Sequence, residues 1–129
     1  MKRVLLYGLA TALLSSLAVG VYLHYYYAME FDESYKVMPI WRVVSLYSAI
    51  SLSSVFVAHW IYQRFNFLGL LILNSLVVCL SIASIGYPIT YVNQEIDTTF
   101  ISIAAIPAHL ILPLFWLGLQ PILFHKKVQ

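Results

Sequence analysis

The chain has 129 residues, of which 62% are hydrophobic and 9% charged, and its formal net charge is +2. A soluble domain of that size would have too little polar surface to cover itself, so lipid must supply part of the solvent. The positive balance sits in short flanks and not on a basic face, which excludes a nucleic-acid binder. The single cysteine, Cys79, lies in an apolar run and excludes an internal disulfide, a CxxC redox pair and a cysteine-based metal site.

Four apolar segments reach the ~20 residues that a helix needs to cross a bilayer. They cover about 4–27, 43–62, 67–89 and 100–124. The first follows Lys2 and Arg3, and Ser16-Leu17-Ala18 resembles a cleavage site. Its apolar character nevertheless continues to Tyr27, past the roughly 7–15 residues of a signal-peptide core, which predicts a retained helix. Along it Gly8, Ala12, Ser16 and Gly20 recur every four residues, a thin stripe that lets another helix approach closely. The loop over 28–42 carries Glu30, Asp32 and Glu33 before Lys36, Pro39 and Trp41, and reads as a polar turn followed by a short interfacial stretch.

The second segment repeats the small-residue pattern at Ser45, Ala49 and Ser53, and the third at Ser75, Cys79 and Ala83. The link 63–66 is so short that these two segments must be antiparallel neighbours, and the outer link 90–99 requires the same of the third and fourth. In the fourth, Pro107 and Pro113 remove backbone donors and free carbonyls near Ile103 and His109. Such breaks are tolerated in lipid where neighbouring polar groups satisfy the freed backbone.

Charge sets the orientation. Lys2, Arg3, Arg64, Lys126 and Lys127 fall at one end of the segments, and all five acids, Glu30, Asp32, Glu33, Glu95 and Asp97, at the other. Short loops rich in Lys and Arg stay in the cytoplasm. The expected fold is thus an all-α membrane protein, one domain over 1–129, forming an antiparallel up-down-up-down bundle of four transmembrane helices with both termini inside. A multi-pass protein of the bacterial inner membrane fits that layout. Tyr22, Tyr25, Tyr26, Tyr27, Tyr35 and Trp41 read as an aromatic belt at the outer face, with Trp60, Tyr62, Phe65 and Phe67 at the inner one.

Polar side chains at depth point to function in membrane proteins. Helical rise places His109 in the outer half of its segment, level with Ser51 and Ser81, and His59 near the inner face, level with Asn74, a natural hydrogen-bond partner. His24 lies at the outer interface, and His125 lies outside the membrane. His59 and His109 differ in depth by roughly 15 Å, and His24 and His109 by about 8 Å, which disfavours a shared haem. His109, Pro107, Pro113, Ser51, Ser81 and His24 are the candidate ligand or polar-layer residues. Gly8, Ala12, Ser16 and Gly20 are the helix-packing residues, and no catalytic or metal site is expected.

The first segment lacks the membrane-embedded Glu of small multidrug exporters, the charge bias differs from dual-topology fluoride channels, and Cys79 is alone where quinone-linked disulfide-forming enzymes need pairs. The small-residue first segment, the acidic first outer loop, the Ser84 to Pro88 end of the third segment and His109 together resemble a family of uncharacterised bacterial four-helix inner-membrane proteins. That resemblance implies a fold and no activity. The expected role is non-catalytic: a structural or accessory subunit, without cofactor, that packs in the bilayer against a membrane-protein partner or a second copy. The alternatives are a small transporter or lipophilic-ligand binder using the broken fourth segment, and an electron-transfer subunit with haem or quinone.

Overall fold

The structure, a computed structural model, describes residues 2–29, 33–92, 94–95 and 100–120. Every regular element among them is helical: α1 (Lys2–Ala28), α2 (Ser34–Val37), α3 (Ile40–Ser84), α4 (Gly86–Thr90) and α5 (Ile101–Gly118). Three helical runs, Arg3–Ala28, Ile40–Thr90 and Ile101–Gly118, are long and apolar enough to cross a membrane. Helix is the form such sequences must take in lipid, because only intra-segment bonds can pair every backbone N–H and C=O there.

The separate helices expected over 43–62 and 67–89 are joined more tightly than a four-residue link. α3 is helical on both sides of one residue, Asn66, whose backbone stands at φ 55°, ψ −147°. That conformation is close to glycine-only space and costs about 1–3 kcal/mol elsewhere, and Asn is among the side chains that tolerate positive φ best. Here the chain doubles back. A Cβ on Gly69 would lie 2.6 Å from Phe65 Cβ and 2.8 Å from Ile61 Cγ2, so only glycine fits the inside of the bend. Leu46 and Ser84 border one cavity, although a straight helix would hold them about 57 Å apart. We call residues 40–65 the first arm of α3 and 67–84 the second.

Pro39 precedes α3, where a residue without an N–H is tolerated, and its carbonyl accepts the amides of Arg42 and Val43. α3 therefore starts three residues earlier than 43, and the expected loop over 28–42 contains the short α2. There the Lys36 ammonium lies 2.5 Å from the Glu33 carboxylate, whose hydrogen bond holds the lysine above its ordinary pKa. The third expected helix stops at Ser84 and restarts as α4. The fourth runs Ile101–Gly118. Glu30, Asp32, Asp97, His125, Lys126 and Lys127, and the expected helical stretch beyond 120, lie outside the described residues.

The core consists of two apolar clusters. Val4, Tyr7, Val55, Ala58, Leu70 and Trp116 pack at one end, and Val19, Leu23, Tyr26, Tyr47, Ala104 and Ala108 at the other. Between them lies a layer of small polar side chains in which Thr11, Ser15 and Ser51 are fully buried. The α1 stripe is part of this interior. A Cβ on Gly8 would meet Val55 at 3.3 Å and one on Gly20 would meet Val44 at 3.4 Å, while Ser16 Oγ lies 2.9 Å from Ser48 Oγ. α1 thus lies against the first arm with almost no side chain between them.

Replacing Ala12 or Ser16 with Leu should force α1 away from that arm and lower stability by about 1–3 kcal/mol, the usual cost of overpacking. Leu13→Ile, at a position 68% exposed, should stay within about 0.5 kcal/mol of the parent. Thermal unfolding in detergent checks the contrast, and equal stability of all three variants would show that the stripe faces lipid.

Candidate functional site

α5 carries two prolines that break its backbone ladder, and tyrosines from two other elements donate to its carbonyls and to its N-cap. Pro107 cannot donate to the carbonyl four residues earlier, that of Ile103, and the Tyr22 hydroxyl donates to that oxygen at 2.7 Å. Tyr26 donates to the Phe100 carbonyl at the N-cap of α5 at 3.0 Å. Tyr47, buried on the first arm, donates to the Ala108 carbonyl between the two prolines. At the far end the Tyr7 hydroxyl donates at 2.6 Å to the Trp116 carbonyl, and the two rings meet edge to face with centroids 5.3 Å apart.

These bonds give several of the outer tyrosines partners within the protein. Tyr22 and Tyr26 bond α5, and Tyr27 donates to the Met38 carbonyl at 2.7 Å, closing the loop after α1. In the Tyr25-Tyr26-Tyr27 run Tyr25, 65% exposed, presents its ring outward as a belt residue would. The physical reason is helical phase: consecutive tyrosines point in different directions, and two of the three meet protein. Tyr7 and Tyr47 were not among the residues singled out from the sequence. Their signal was a phenol inside an apolar segment, where a buried hydroxyl must find a partner.

The expected pairing of His59 with Asn74 does not form. His59 Nε2 lies 3.0 Å from Gln63 Nε2 one turn along its own helix. Asn74 Oδ1 instead accepts from Trp116 Nε1 at 3.0 Å and from Gln120 Nε2 at 2.6 Å. Equal depth was not enough, because His59 and Asn74 stand on faces that do not meet. Two polar donors, Trp116 on α5 and Gln120 just past its end, take the amide oxygen instead.

A cavity of about 380 Å³ opens between the two arms of α3 and α5, bordered by Ser51, Ser54, Ser81, Ser84, His109 and apolar side chains including Leu46 and Leu80. The structure thus brings Ser51, Ser81 and His109 around one space, and adds Ser84, whose Oγ lies 2.8 Å from His109 Nδ1. Pro113 is buried beside this region and Pro107 is exposed on the opposite side of its turn. His24 is not brought to His109; it borders a shallow groove between α1 and the first arm, together with Ala12, Ser16 and Gly20. Among the described residues no three His, Cys, Asp or Glu side chains come together. The cavity size lies within the range of small-molecule sites, and its lining is mostly apolar with a few convergent polar groups. No family model, curated protein or solved structure matches this chain.

Removing a hydroxyl that serves α5 should be felt and removing a free one should not. Tyr22→Phe, Tyr47→Phe and Tyr7→Phe should each lower unfolding stability by roughly 0.5–1.5 kcal/mol. Tyr25→Phe should leave it unchanged. Thermal melts of the four variants in one detergent decide the matter, and a Tyr47→Phe protein as stable as the parent would remove the role assigned to that bond.

Proposed function

We propose that the chain is a non-catalytic, four-crossing protein of a bacterial inner membrane, with both termini in the cytoplasm, acting as an accessory subunit that packs against membrane-protein partners. The alternation of direction is supported by four juxtapositions. Tyr7 meets Trp116 while Tyr26 meets Phe100; Gly8 meets Val55 while Gly20 meets Val44. Each pair of contacts runs in opposite sequence directions, as antiparallel neighbours require. Basic residues at one end and acids at the other then set the cytoplasmic side.

The observation that carries the accessory role is the state of the three small-residue stripes. The α1 stripe is used inside the protein. Ser45, Ala49 and Ser53 on the first arm and Ser75, Cys79 and Ala83 on the second are all exposed. Their hydroxyls are already satisfied: Ser45 donates to the Trp41 carbonyl, Ser53 to that of Ala49 at 2.7 Å and Ser75 to that of Leu71 at 3.0 Å. What remains outward is a pair of shallow, polar-silent strips. A partner helix can approach closely there and gain van der Waals contact that lipid tails do not match, which is how membrane helices associate.

A second reading, a lipophilic-ligand binder, is favoured by the cavity at His109, which is roomy, mostly apolar and open between helices. An electron-transfer role has less support, since His24, His59 and His109 border different spaces or bonds.

Topology is tested by cysteine accessibility in a Cys79→Ala background. Cysteines placed at Asp32 and Asp97 should react with an impermeant reagent from outside, and one placed at Arg64 should not; labelling at 64 would reverse the assignment. The accessory role is tested by gentle extraction. Ala49→Leu and Ala83→Leu should strip co-purifying membrane proteins while changing the isolated chain's stability by no more than about 0.5 kcal/mol. A parent chain that emerges with lipid alone would defeat the role, and self-cross-linking through Cys79 would identify the partner as a second copy.

A further inference from the structure

The polar groups at the cavity have a definite donor and acceptor order. α3 ends at Ser84, and the Ile85 amide bonds the Ile82 carbonyl and not that of Ser81. The Ser81 carbonyl is taken instead by the Ser84 hydroxyl at 2.8 Å. The assignment that satisfies both contacts has the Ser84 proton on the Ser81 carbonyl and His109 Nδ1–H donating to Ser84 Oγ at 2.8 Å. A neutral imidazole carries its single proton on one nitrogen. In that tautomer His109 Nε2 is an acceptor, on a side chain that borders the cavity.

Ser51 borders the same cavity with the opposite need. Ser15, Ser45, Ser48, Ser53 and Ser75 each donate to the carbonyl four residues earlier, and Ser51 does not. Its Oγ is fully buried and has no hydrogen-bond partner. A hydroxyl left unpaired in an apolar medium is costly, and a polar group held in the cavity that Ser51 borders would give it an acceptor. The space holds about a dozen non-hydrogen atoms at the ~30 Å³ a water-sized group occupies.

We propose that this cavity binds a small lipophile bearing a hydroxyl group, whose O–H donates to His109 Nε2 and whose polar end accepts from Ser51 Oγ. This deepens the ligand-binder reading and does not depend on the accessory role. A phenolic ring and a fatty alcohol share the chemistry, and both enter from the bilayer past Leu46 and Leu80.

The test uses the full chain in micelles with nitrogen-15-labelled histidine, the His109 signals being assigned by their loss in His109→Gln. The free protein should show a protonated Nδ1 and an unprotonated Nε2. Titration with para-hexylphenol or with dodecanol should move the Nε2 resonance saturably, and the tighter of the two identifies a ring or a chain as the natural class. The methyl ether para-hexylanisole, alike in shape and without a donor, should leave Nε2 where it is. Ser51→Ala should weaken phenol or alcohol binding by about five- to tenfold, the worth of one hydrogen bond, while leaving the free protein as stable as before or more so. A proton found on Nε2, an anisole response equal to that of the phenol, or Ser51→Ala binding equal to the parent would overturn hydroxyl recognition. Failure of all the lipophiles to saturate would overturn the ligand-binder reading with it.

Discussion

The structure depends on satisfying the backbone of α5 without water. Two prolines within seven positions interrupt its hydrogen-bond ladder, and in hydrocarbon each unpaired carbonyl carries a penalty that no solvent removes. Tyr22 from α1 places a hydroxyl on the carbonyl that Pro107 frees, Tyr7 from α1 and Tyr47 from α3 bond two further α5 carbonyls, and Tyr26 bonds the N-cap carbonyl of Phe100. These bonds fix the rotation of α1 as well as that of α5, because a phenol is long and rigid and its hydroxyl reaches only one place. The two apolar clusters then form around the same tyrosines, with Tyr7 in one and Tyr26 and Tyr47 in the other.

Between those clusters the protein accepts a layer of small polar side chains where larger apolar ones would fill space better. The layer has two consequences. Against α1, Ser16 and Ser48 with Gly8 and Gly20 allow near contact of backbones, which supplies the packing that hydrophobicity cannot supply within lipid. Against α5, the same thinness leaves a cavity where the second arm diverges, and His109 and Ser51 face it with complementary hydrogen-bonding capacity. Close packing on one side of the first arm and open space on the other follow from which of its faces carries small residues opposite small residues.

The bend at Asn66 has a comparable reach. By reversing the chain within one residue it holds the two arms side by side, and Gly69 removes the side chain that would prevent it. The arms then share one cavity with α5 and turn their small-residue strips outward. One such strip is packed inside the protein and two, without charged side chains, are exposed, which is the feature the proposed accessory role rests on.

Much of this was available from the sequence alone because the signals were strong and one-dimensional: runs of apolar residues long enough to span lipid, acids confined to two loops, prolines at 107 and 113, and a four-residue repeat from Gly8 to Gly20. Helical rise even placed Ser51, Ser81 and His109 at one depth, and they border one cavity. Depth is an axial coordinate, however, and contact also requires rotation about each helix axis. Rotation decided that Asn74 meets Trp116 and not His59, that Tyr22 and Tyr26 serve α5 and not the interface, that Ser84 orients His109, and that the strips on α3 face outward. Each depended on several weak preferences settled together in packing, with the tyrosine bonds to α5 fixing the phase that no single segment could specify.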